Sequence, residues 1–288
     1  MTKVFPTLHV GQGTCASGLT LFPVWVDAPA RRRVSVGAQP GVTVAEREGS
    51  PVVGELVVTN GRQDPVLLLE GEMLEGGWQN RTLAHSVLLM PGERSVVEVC
   101  CVEQGRWAGS AEHRGGERRV APSVVGGLRN PGGNRQGQVW DRVRRYEPVM
   151  GATATTSHAE HLDRIAVDVN GWAFRPLEGQ RGVIIGIMGV PLSLELFSTS
   201  DALAAQWRAL VQAAALDARL GPPIRTTASA ARRFAERVER TSTGRVPDGV
   251  AFRVRSDRPG VSVRGMGLDD VLLHANVLHS SHPLLVGA

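Results

Sequence analysis

Short apolar runs rich in β-branched residues, each bounded by Gly, Pro, Asn or Asp, recur through the first third of the chain and constrain its fold most. Residues 19–26 and 52–59 are of this kind, and both have the length and composition of strands. Asn60-Gly61 is a strong turn signal, and residues 65–69 form another apolar run after it. This part of the chain is therefore predicted to form mostly antiparallel hairpins.

A further hairpin is predicted from residues 83–89 and 95–102, which have strand patterns on both sides of Pro91-Gly92. Pro-Gly does not suit a two-residue primed turn, so a loop of about three to five residues is expected. Antiparallel pairing then brings together the two strand ends that lie furthest from the loop.

The rest of the chain combines helical periodicity with more strand patterns. Apolar spacing predicts helices over residues 139–146, 157–166, 201–220 and 230–240. A second hairpin is predicted from residues 182–188 and 192–197, and two or three more strands beyond Val250. The fold class is therefore predicted to be α+β, with a β-rich N-terminal third packed with later hairpins and covering helices.

The whole chain is predicted to be a single unit over residues 1–288. Within it, residues 1–104 form the β-rich part, residues 105–136 a long Gly- and Arg-rich loop, and residues 137–288 the helices and later hairpins. Loops of that length usually carry function or are mobile.

Composition points to a cytoplasmic protein. The 42% hydrophobic content suffices for a sizeable core, and no run of about 18 apolar residues or N-terminal secretion signal is present. The cysteines number 3, and two of them, Cys100 and Cys101, are adjacent. An odd, adjacent set suits neither a disulfide framework nor a zinc site.

The net charge of +4 comes from an unusual set of basic residues, since Lys3 is the only lysine among 32 lysines and arginines. This skew indicates codon bias, which makes each arginine less informative about function. The densest basic stretch, from Arg114 to Arg145, could grip phosphates. Because aromatic residues make up only 5% of the chain and do not alternate with these arginines, nucleic acid is not expected as a partner.

The predicted hairpin places Asn80 near Glu103, and Arg81 near Val102 or Gln104. Two polar segments therefore converge at its open end, and the carboxylates of Glu70, Glu72 and Glu75 are expected close by. Such side chains suit a polar ligand, with Arg for phosphate or carboxylate, Asn and Gln for hydrogen bonds, and Glu as a base or Mg²⁺ ligand. The alternative is an internal network of ion pairs and hydrogen bonds that holds the loop ends together.

Two segments of this region resemble the signatures of the ARPP-1 family, whose name marks an association with ADP-ribosylglycohydrolase and rhodanese-phosphatase proteins. They are Leu69-Glu-Gly-Glu-Met-Leu-Glu-Gly-Gly-Trp-Gln-Asn-Arg81 and Cys101-Val-Glu-Gln-Gly-Arg-Trp107. Residues 19–23, 136–141 and 193–197, together with the final strands, are also similar to family segments. The chain departs from the family pattern at Trp78, where a basic residue is common.

The resemblance implies a role near NAD or ADP-ribose metabolism in bacteria, and it implies no particular reaction. Together with the residue pattern, it leads to two functional hypotheses. The first is binding, with or without hydrolysis, of a phosphate-bearing, nucleotide-like small molecule. The second is a non-catalytic regulatory or interaction protein that partners an ADP-ribose-processing enzyme.

Specific roles follow for the first hypothesis. Glu103, Glu70 and Glu72 are the candidate catalytic residues, as base or metal ligand, and Mg²⁺ is the candidate cofactor. The ligand-binding candidates comprise two amide-rich groups and an aromatic side chain: Gln79, Asn80, Arg81, Gln104, Arg106 and Trp107. The oligomeric state is left open.

Two rival sites are weaker. Cys101 could act as a nucleophile with His85 as its base, although a cysteine among valines is more often a small buried hydrophobe. His158-x-x-His161 with Asp163, and His279-x-x-His282, have a spacing that could hold a metal ion. Each is only a two-ligand fragment, so these histidines are predicted to lie at the surface.

Overall fold

The computed structural model describes residues 4–28, 30, 34–49, 52–129 and 132–286. The chain divides into two compact units. The sheet unit comprises Met1–Arg32, Trp172–Arg208 and Gly221–Gly287, and the barrel unit comprises Arg33–Gly171 and Ala209–Leu220. Both units contain strands and helices, which confirms the α+β fold class.

The elements follow one another along the chain with most strands in the first half. The strands are β1 (Leu8–Val10), β2 (Thr14–Ala16), β3 (Leu19–Val26), β4 (Ser35–Val36), β5 (Val42–Ala45), β6 (Glu55–Asn60), β7 (Val66–Leu68), β8 (Glu72–Gly76), β9 (Arg81–Leu83), β10 (Val87–Leu89), β11 (Arg94–Cys101), β12 (Glu112–Arg119), β13 (Gly182–Ile187), β14 (Val190–Phe197), β15 (Gly244–Asp248), β16 (Ala251–Arg258), β17 (Val261–Leu268) and β18 (Val271–Leu278). The helices are α1 (Pro122–Leu128), α2 (Arg135–Arg144), α3 (Glu147–Met150), α4 (His158–Val169), α5 (Ser200–Ala218), α6 (Ala228–Arg240) and α7 (Pro283–Val286). The boundary between the units falls within α5.

The sheet unit is a nine-stranded antiparallel sheet in the order β1-β3-β13-β14-β18-β17-β16-β15, with β2 also paired to β3. Helix α6 packs on β1 and β14 and begins where Thr227 accepts a hydrogen bond from the Ala230 N–H at 3.2 Å. Its apolar stripe includes Phe234 and Val238, which are buried with Ile184 of the sheet in one core.

The second predicted hairpin is confirmed as β13 and β14, joined by Met188 and Gly189. These two residues have φ values of 56° and 79°, as in the primed turns that match the twist of paired strands. Gly189 therefore serves a strand-to-strand turn, while Gly182 and Gly186 lie within β13.

The barrel unit is built around a closed barrel of six strands in the order β11-β6-β5-β12-β8-β9. The same unit also contains a three-stranded sheet in the order β10-β7-β4, which includes one parallel pair, β4 with β7. The core draws on alternate residues of the strands, so Leu83 and Leu74 are buried together with Val97 and Val99 of β11. Alternation along β9 then places Arg81 on the same face as Leu83, toward this interior.

The predicted hairpin around Pro91-Gly92 is correct only at its open end, where β9 pairs with β11, and its register differs from the predicted one. Residues 83–89 do not form one strand, because β9 ends at Leu83 and β10 pairs with β7 in the other sheet. Arg81 lies opposite Cys101, where Val102 or Gln104 had been predicted. Because β10 pairs with β7, only the part of the hairpin furthest from Pro91-Gly92 is paired.

The prediction that residues 105–136 form one long loop is wrong. They contain β12 and α1. Strand β12 lacks β-branched residues and is extended because it closes the barrel between β5 and β8, a long-range pairing without a local sequence signal. Helix α1 starts with Pro122 at its first position, where the missing N–H costs nothing. Residues 130 and 131 lie outside the described part of the chain.

The helices predicted from apolar spacing are all present within a few residues of the expected bounds, as α2, α4, α5 and α6. In α4, for example, the side chain of Ser157 accepts the N–H of Glu160 at 3.4 Å as an N-cap. None of the described helices is both long and apolar enough to cross a membrane.

Candidate functional site

Several barrel strands begin or end at one edge, and the predicted polar segments meet there. Gly76 at the end of β8 lies opposite His113 of β12, and Cys101 at the end of β11 lies opposite Arg81 at the start of β9. The connections after β5, β8 and β11 supply further polar side chains. We call this group the barrel-end cluster; its members are Glu46, Trp78, Gln79, Asn80, Arg81, Glu103, Arg106, Trp107 and His113.

Glu103 joins the two predicted segments, as the hairpin argument required. Its Oε2 accepts the Asn80 N–H at 3.1 Å and the Arg106 Nε–H at 2.9 Å, and its Oε1 accepts from Thr155 Oγ1 at 2.9 Å. The Gln79 side chain donates to the Glu103 carbonyl at 3.1 Å. The predicted proximity of Asn80 and Glu103 is therefore confirmed.

The guanidinium of Arg106 donates its hydrogen bonds to acceptors within the protein. Beyond Glu103 they reach the carbonyls of Gly77 and Ala108 at 2.9 Å, that of Gly76 at 3.1 Å and Asn80 Oδ1 at 3.3 Å. These bonds tie the β8–β9 connection to the segment after β11. Arg106 thus acts as a brace between two loops.

The Glu103 carboxylate is stabilised in its ionised form. Burial by itself would raise its pKa, but the hydrogen bonds from Arg106, the Asn80 N–H and Thr155 outweigh burial, and the net pKa is lowered. A carboxylate with both oxygens occupied and a lowered pKa is poorly suited to accept a proton at neutral pH. Its surroundings favour a structural role over that of a base.

Arg81 is in the opposite situation. Its side chain is fully buried, and Nη1 donates to Gln79 Oε1 at 2.7 Å. Its Nε and Nη2 atoms are also buried, and no described residue accepts a hydrogen bond from them. The Cys101 sulfur is a neighbour of the guanidinium and only a weak hydrogen-bond acceptor, and it raises the pKa of Arg81 against the larger effect of burial. Burial lowers the pKa of Arg81, and unpaired buried donors of this kind are costly.

Glu46 and His113 complete the cluster, and the sequence analysis did not identify them. His113 Nε2 lies 3.1 Å from Glu46 Oε1, and both side chains are buried. Burial lowers the pKa of His113 despite the nearby carboxylate, which favours the neutral ring. The other carboxylate oxygen, Glu46 Oε2, is buried and has no hydrogen-bond donor among the described residues.

Gly77 is required where it stands. Its φ is +51°, and a Cβ at this position would lie 2.0 Å from His113 Nε2. Any side chain would collide with the imidazole that holds Glu46. The Gly-Gly pair of the family motif therefore allows the β8–β9 connection to close over the barrel end.

One tryptophan, Trp107, lies over Arg81 and packs against a second, Trp78. The Trp78 and Trp107 ring centroids are 5.7 Å apart with an interplanar angle of 50°, and Arg81 Cζ lies 5.6 Å from the Trp107 centroid. This distance suits a cation–π contact. Trp107 is 46% exposed, so one face of the pair is open to solvent. Gln104 is exposed and accepts from Arg144 Nη1 at 2.8 Å, outside this enclosed part of the cluster.

The upstream carboxylates do not join the cluster. Glu70 is paired with Arg129 at 2.5 Å. Glu72 accepts the Ala38 N–H at 2.6 Å and the Leu69 N–H at 3.1 Å, and burial raises its pKa. Glu72 stands at the far end of β8 from Gly76, about 13 Å of extended chain away. Their expected convergence is therefore wrong, and their catalytic role stays a prediction.

Cys101 does not have the surroundings of a nucleophile. It is fully buried and its pKa is raised by burial, whereas reactive thiols have lowered pKa values and are accessible. His85 lies 3.2 Å from Glu98 and is partly exposed. Cys101 is paired with Arg81 and not with His85.

The prediction that both histidine pairs lie at the surface is wrong for three of the four residues, and His279 is half-buried. His158, His161 and His282 are fully buried, and both His158 and His161 pack against Tyr146 at centroid distances of 5.6 and 5.8 Å. Within the described ranges, no three His, Cys, Asp or Glu side chains are arranged to hold a metal ion. Mg²⁺ stays a prediction.

Two surface cavities lie in the sheet unit, and none of the predicted site residues lines them. One of 460 Å³ contains Arg181, whose guanidinium donates to the carbonyls of Ala28 and Phe197. The other, of 450 Å³, lies between the end of α6 and Arg258. Neither of these two cavities therefore belongs to the barrel-end cluster.

The fold and the cluster define an α+β protein with a polar, tryptophan-covered barrel end. A family model described as ARPP-1, the ARG and Rhodanese-Phosphatase-superfamily-associated Protein domain, matches residues 7–278, and the chain belongs to this family. Searches among curated proteins and among solved structures found no match.

The structural role of Glu103 leads to a prediction. Glu103→Gln should lower the free energy of unfolding at pH 7 by about 1.5–3 kcal/mol, the usual range for a hydrogen bond to a charged group. Because the folded pKa of Glu103 is lowered, its contribution is present above the unfolded value near 4.5 and is lost as the pH falls through the folded value. Urea unfolding at pH 7 and in acid should show the two proteins converging at low pH.

The matched control is Glu48→Gln, which changes a carboxylate that is 93% exposed and should alter stability little. A Glu103→Gln protein as stable as wild type at pH 7 would contradict the structural role.

Proposed function

We propose that this protein binds a nucleotide-like small molecule at the barrel-end cluster. The observation that carries the proposal is Arg81, a buried guanidinium with two N–H-bearing atoms that no described residue satisfies. Native proteins pair nearly all such buried donors. A ligand with acceptor atoms would relieve this cost, and the enclosed surroundings would strengthen each hydrogen bond.

The neighbours of Arg81 support a ligand of this class. Gln79 fixes the guanidinium at 2.7 Å, so its remaining donors are pre-oriented. The Trp78–Trp107 pair offers an aromatic surface with one exposed face, which suits a planar ring. Glu103 and Arg106 hold the two covering segments together and act as supporting residues.

Binding is favoured over hydrolysis. Of the three candidate catalytic carboxylates, Glu103 has both oxygens occupied, Glu70 is paired with Arg129, and Glu72 accepts two backbone N–H groups. A general base needs a free oxygen near the reacting group. The association carried in the family name connects this ligand with ADP-ribose or NAD metabolism, as part of the proposal.

The second candidate function, a regulatory partner of an ADP-ribose-processing enzyme, is favoured by the same observation that the three candidate catalytic carboxylates are already engaged by the protein. A binding protein without turnover would serve as a sensor of the ligand. The two candidates differ in whether ligand is consumed, and incubation with ADP-ribose, with and without Mg²⁺, separates them. Product formation by the wild-type protein would support hydrolysis, and binding without product would support the sensor.

The binding proposal predicts that ADP-ribose or AMP raises the melting temperature of the protein. Arg81→Met should weaken that binding by about tenfold to a hundredfold, the effect of losing hydrogen bonds to a charged group. Methionine removes the Nη1 bond to Gln79 as well as the unsatisfied donors, so circular dichroism and urea unfolding must first show that the variant is folded. Thermal shift and calorimetric titration measure both effects.

Arg94→Met is the control, because Arg94 belongs to the same barrel and is 57% exposed. It should bind like wild type. A melting temperature unaffected by both ligands, or equal affinities for wild type and Arg81→Met, would refute the proposal.

A further inference from the structure

Arg81 and Glu46 carry opposite charges within one buried cluster and do not satisfy each other. Arg81 keeps Nε and Nη2 without an acceptor, and Glu46 keeps Oε2 without a donor, among the described residues. Their charges nevertheless attract, so both groups belong to the same electrostatic neighbourhood. A group that complements both must present an acceptor to Arg81 and a donor to Glu46.

The charges of the cluster compensate one another. Arg81 and Arg106 are positive, Glu46 and Glu103 are negative, and burial favours the neutral form of His113 by lowering its pKa. A phosphate placed against Arg81 would bring negative charge close to the Glu46 carboxylate, where repulsion is strong because the surroundings are buried. An uncharged group with both hydrogen-bonding functions meets no such repulsion.

We infer that the part of the ligand that enters the barrel end is the edge of an uncharged planar ring, which accepts from Arg81 and donates to Glu46. The inference rests on the proposed function and specifies which end of the ligand is buried. Nucleobases carry adjacent acceptors and N–H donors on one edge, and so does a ring bearing a carboxamide. Both share the chemistry that the two side chains require.

The aromatic neighbours fit this orientation. Trp107 lies over Arg81 at 5.6 Å and adjoins Trp78, so a ring whose edge reaches Arg81 and Glu46 lies beside indole faces. Stacking on an aromatic side chain contributes to binding of any base. Phosphates on the same ligand then remain on the solvent side, away from Glu46.

Specificity for a ring follows from Glu46. Its Oε1 is occupied by His113 at 3.1 Å and, more weakly, by the Trp78 N–H at 3.5 Å, which holds the carboxylate in place. The remaining oxygen can only accept. A ligand without a donor at that position would leave Glu46 unpaired, and sites of this kind discriminate strongly against such analogues.

The test compares ring-bearing and ring-free probes by thermal shift and calorimetry. Adenosine, guanosine and nicotinamide supply uncharged rings, and ribose 5-phosphate and inorganic pyrophosphate supply phosphate alone. We expect at least one ring-bearing probe to bind and the phosphate probes to bind at least tenfold more weakly. The nucleosides and nicotinamide distinguish a base edge from a ring carboxamide.

Glu46→Gln should weaken binding of the successful ring probe by tenfold or more, whereas the exposed Glu48→Gln should not. Trp107→Leu, which leaves the buried charges intact, should weaken the same probe and keeps the test valid if Glu46→Gln fails to fold. Binding of phosphate probes without ring probes would overturn the inference and leave the proposed function standing. Failure of every probe, with ADP-ribose and AMP included, would overturn both.

Discussion

Arg129→Met is expected to lower the free energy of unfolding by about 3–5 kcal/mol, the usual cost of removing one partner of a buried ion pair. Arg129 Nη2 lies 2.5 Å from Glu70 Oε2, Nε lies 3.0 Å from the same oxygen, and the two side chains are 4% and 3% exposed. Methionine fills much of the space but leaves the Glu70 carboxylate buried without this partner. Urea unfolding at neutral pH measures the loss.

The double variant Glu70→Gln with Arg129→Met should recover part of this loss, because it removes the uncompensated charge. Arg47→Met provides the control at an exposed pair with Glu55 and should cost no more than about 1 kcal/mol. If Arg129→Met unfolds like the control, Glu70 does not depend on this pair, and its candidacy as a free carboxylate is strengthened.

The stability of Arg129→Met tests whether the first half of the sequence motif from Leu69 to Arg81 is structural. Its first half, with Glu70 and Glu72, is engaged in ion pairing and in hydrogen bonds to backbone N–H groups. Its second half, with Gln79 and Arg81, reaches the barrel end and keeps donors unsatisfied. One continuous motif therefore combines a structural segment with a candidate ligand-binding segment.

Local patterns were sufficient to predict most elements of the fold. Helix α6 has an apolar stripe and an N-cap, and the β13–β14 hairpin has a turn whose residues adopt positive φ. Strand β12 was missed because its extended form depends on pairing with β5 and β8 across the barrel. Closure of a barrel is a property of distant segments, and no short window of sequence contains it.

The candidate site was predictable only in part, for the same reason. Hairpin pairing brought Asn80 to Glu103, since they lie just beyond the paired ends of β9 and β11. Glu46 follows β5 directly and His113 belongs to β12, and these strands meet only when the barrel closes. An acidic residue that follows an apolar run, and a histidine inside a Gly- and Arg-rich segment, carry no signal that would pair them.

Burial also reversed several expected roles. An arginine such as Arg106 can bind phosphate and a glutamate such as Glu103 can act as a base. Here both side chains form their hydrogen bonds within the protein. Arg81 has the same chemistry as Arg106 and retains donors because it faces the barrel interior. Residue type and spacing therefore identified the region, and three-dimensional hydrogen bonding separates the supporting residues from the candidate ligand contacts.

His158 should make the protein sensitive to mild acid. The ring is fully buried against Tyr146, and burial, with His161 as a second cause, lowers its pKa from 6.5 to about 3. The unfolded chain therefore binds a proton in this range that the folded protein refuses. Stability is fully present above pH 6.5 and falls as the pH is lowered toward 3, by about 2 kcal/mol between pH 7 and pH 5 for this residue.

His158→Gln should remove that part of the pH dependence, because glutamine does not titrate and its carbonyl oxygen can accept the Ala121 N–H that now contacts Nε2 at 3.3 Å. Urea unfolding of both proteins at pH 7, 6 and 5 should therefore give curves that approach one another in acid. His9→Gln changes an exposed ring and should leave the wild-type slope intact. If the free energy of unfolding falls equally with pH in wild type and His158→Gln, the pKa of His158 is not lowered in the folded protein. The prediction would then be wrong.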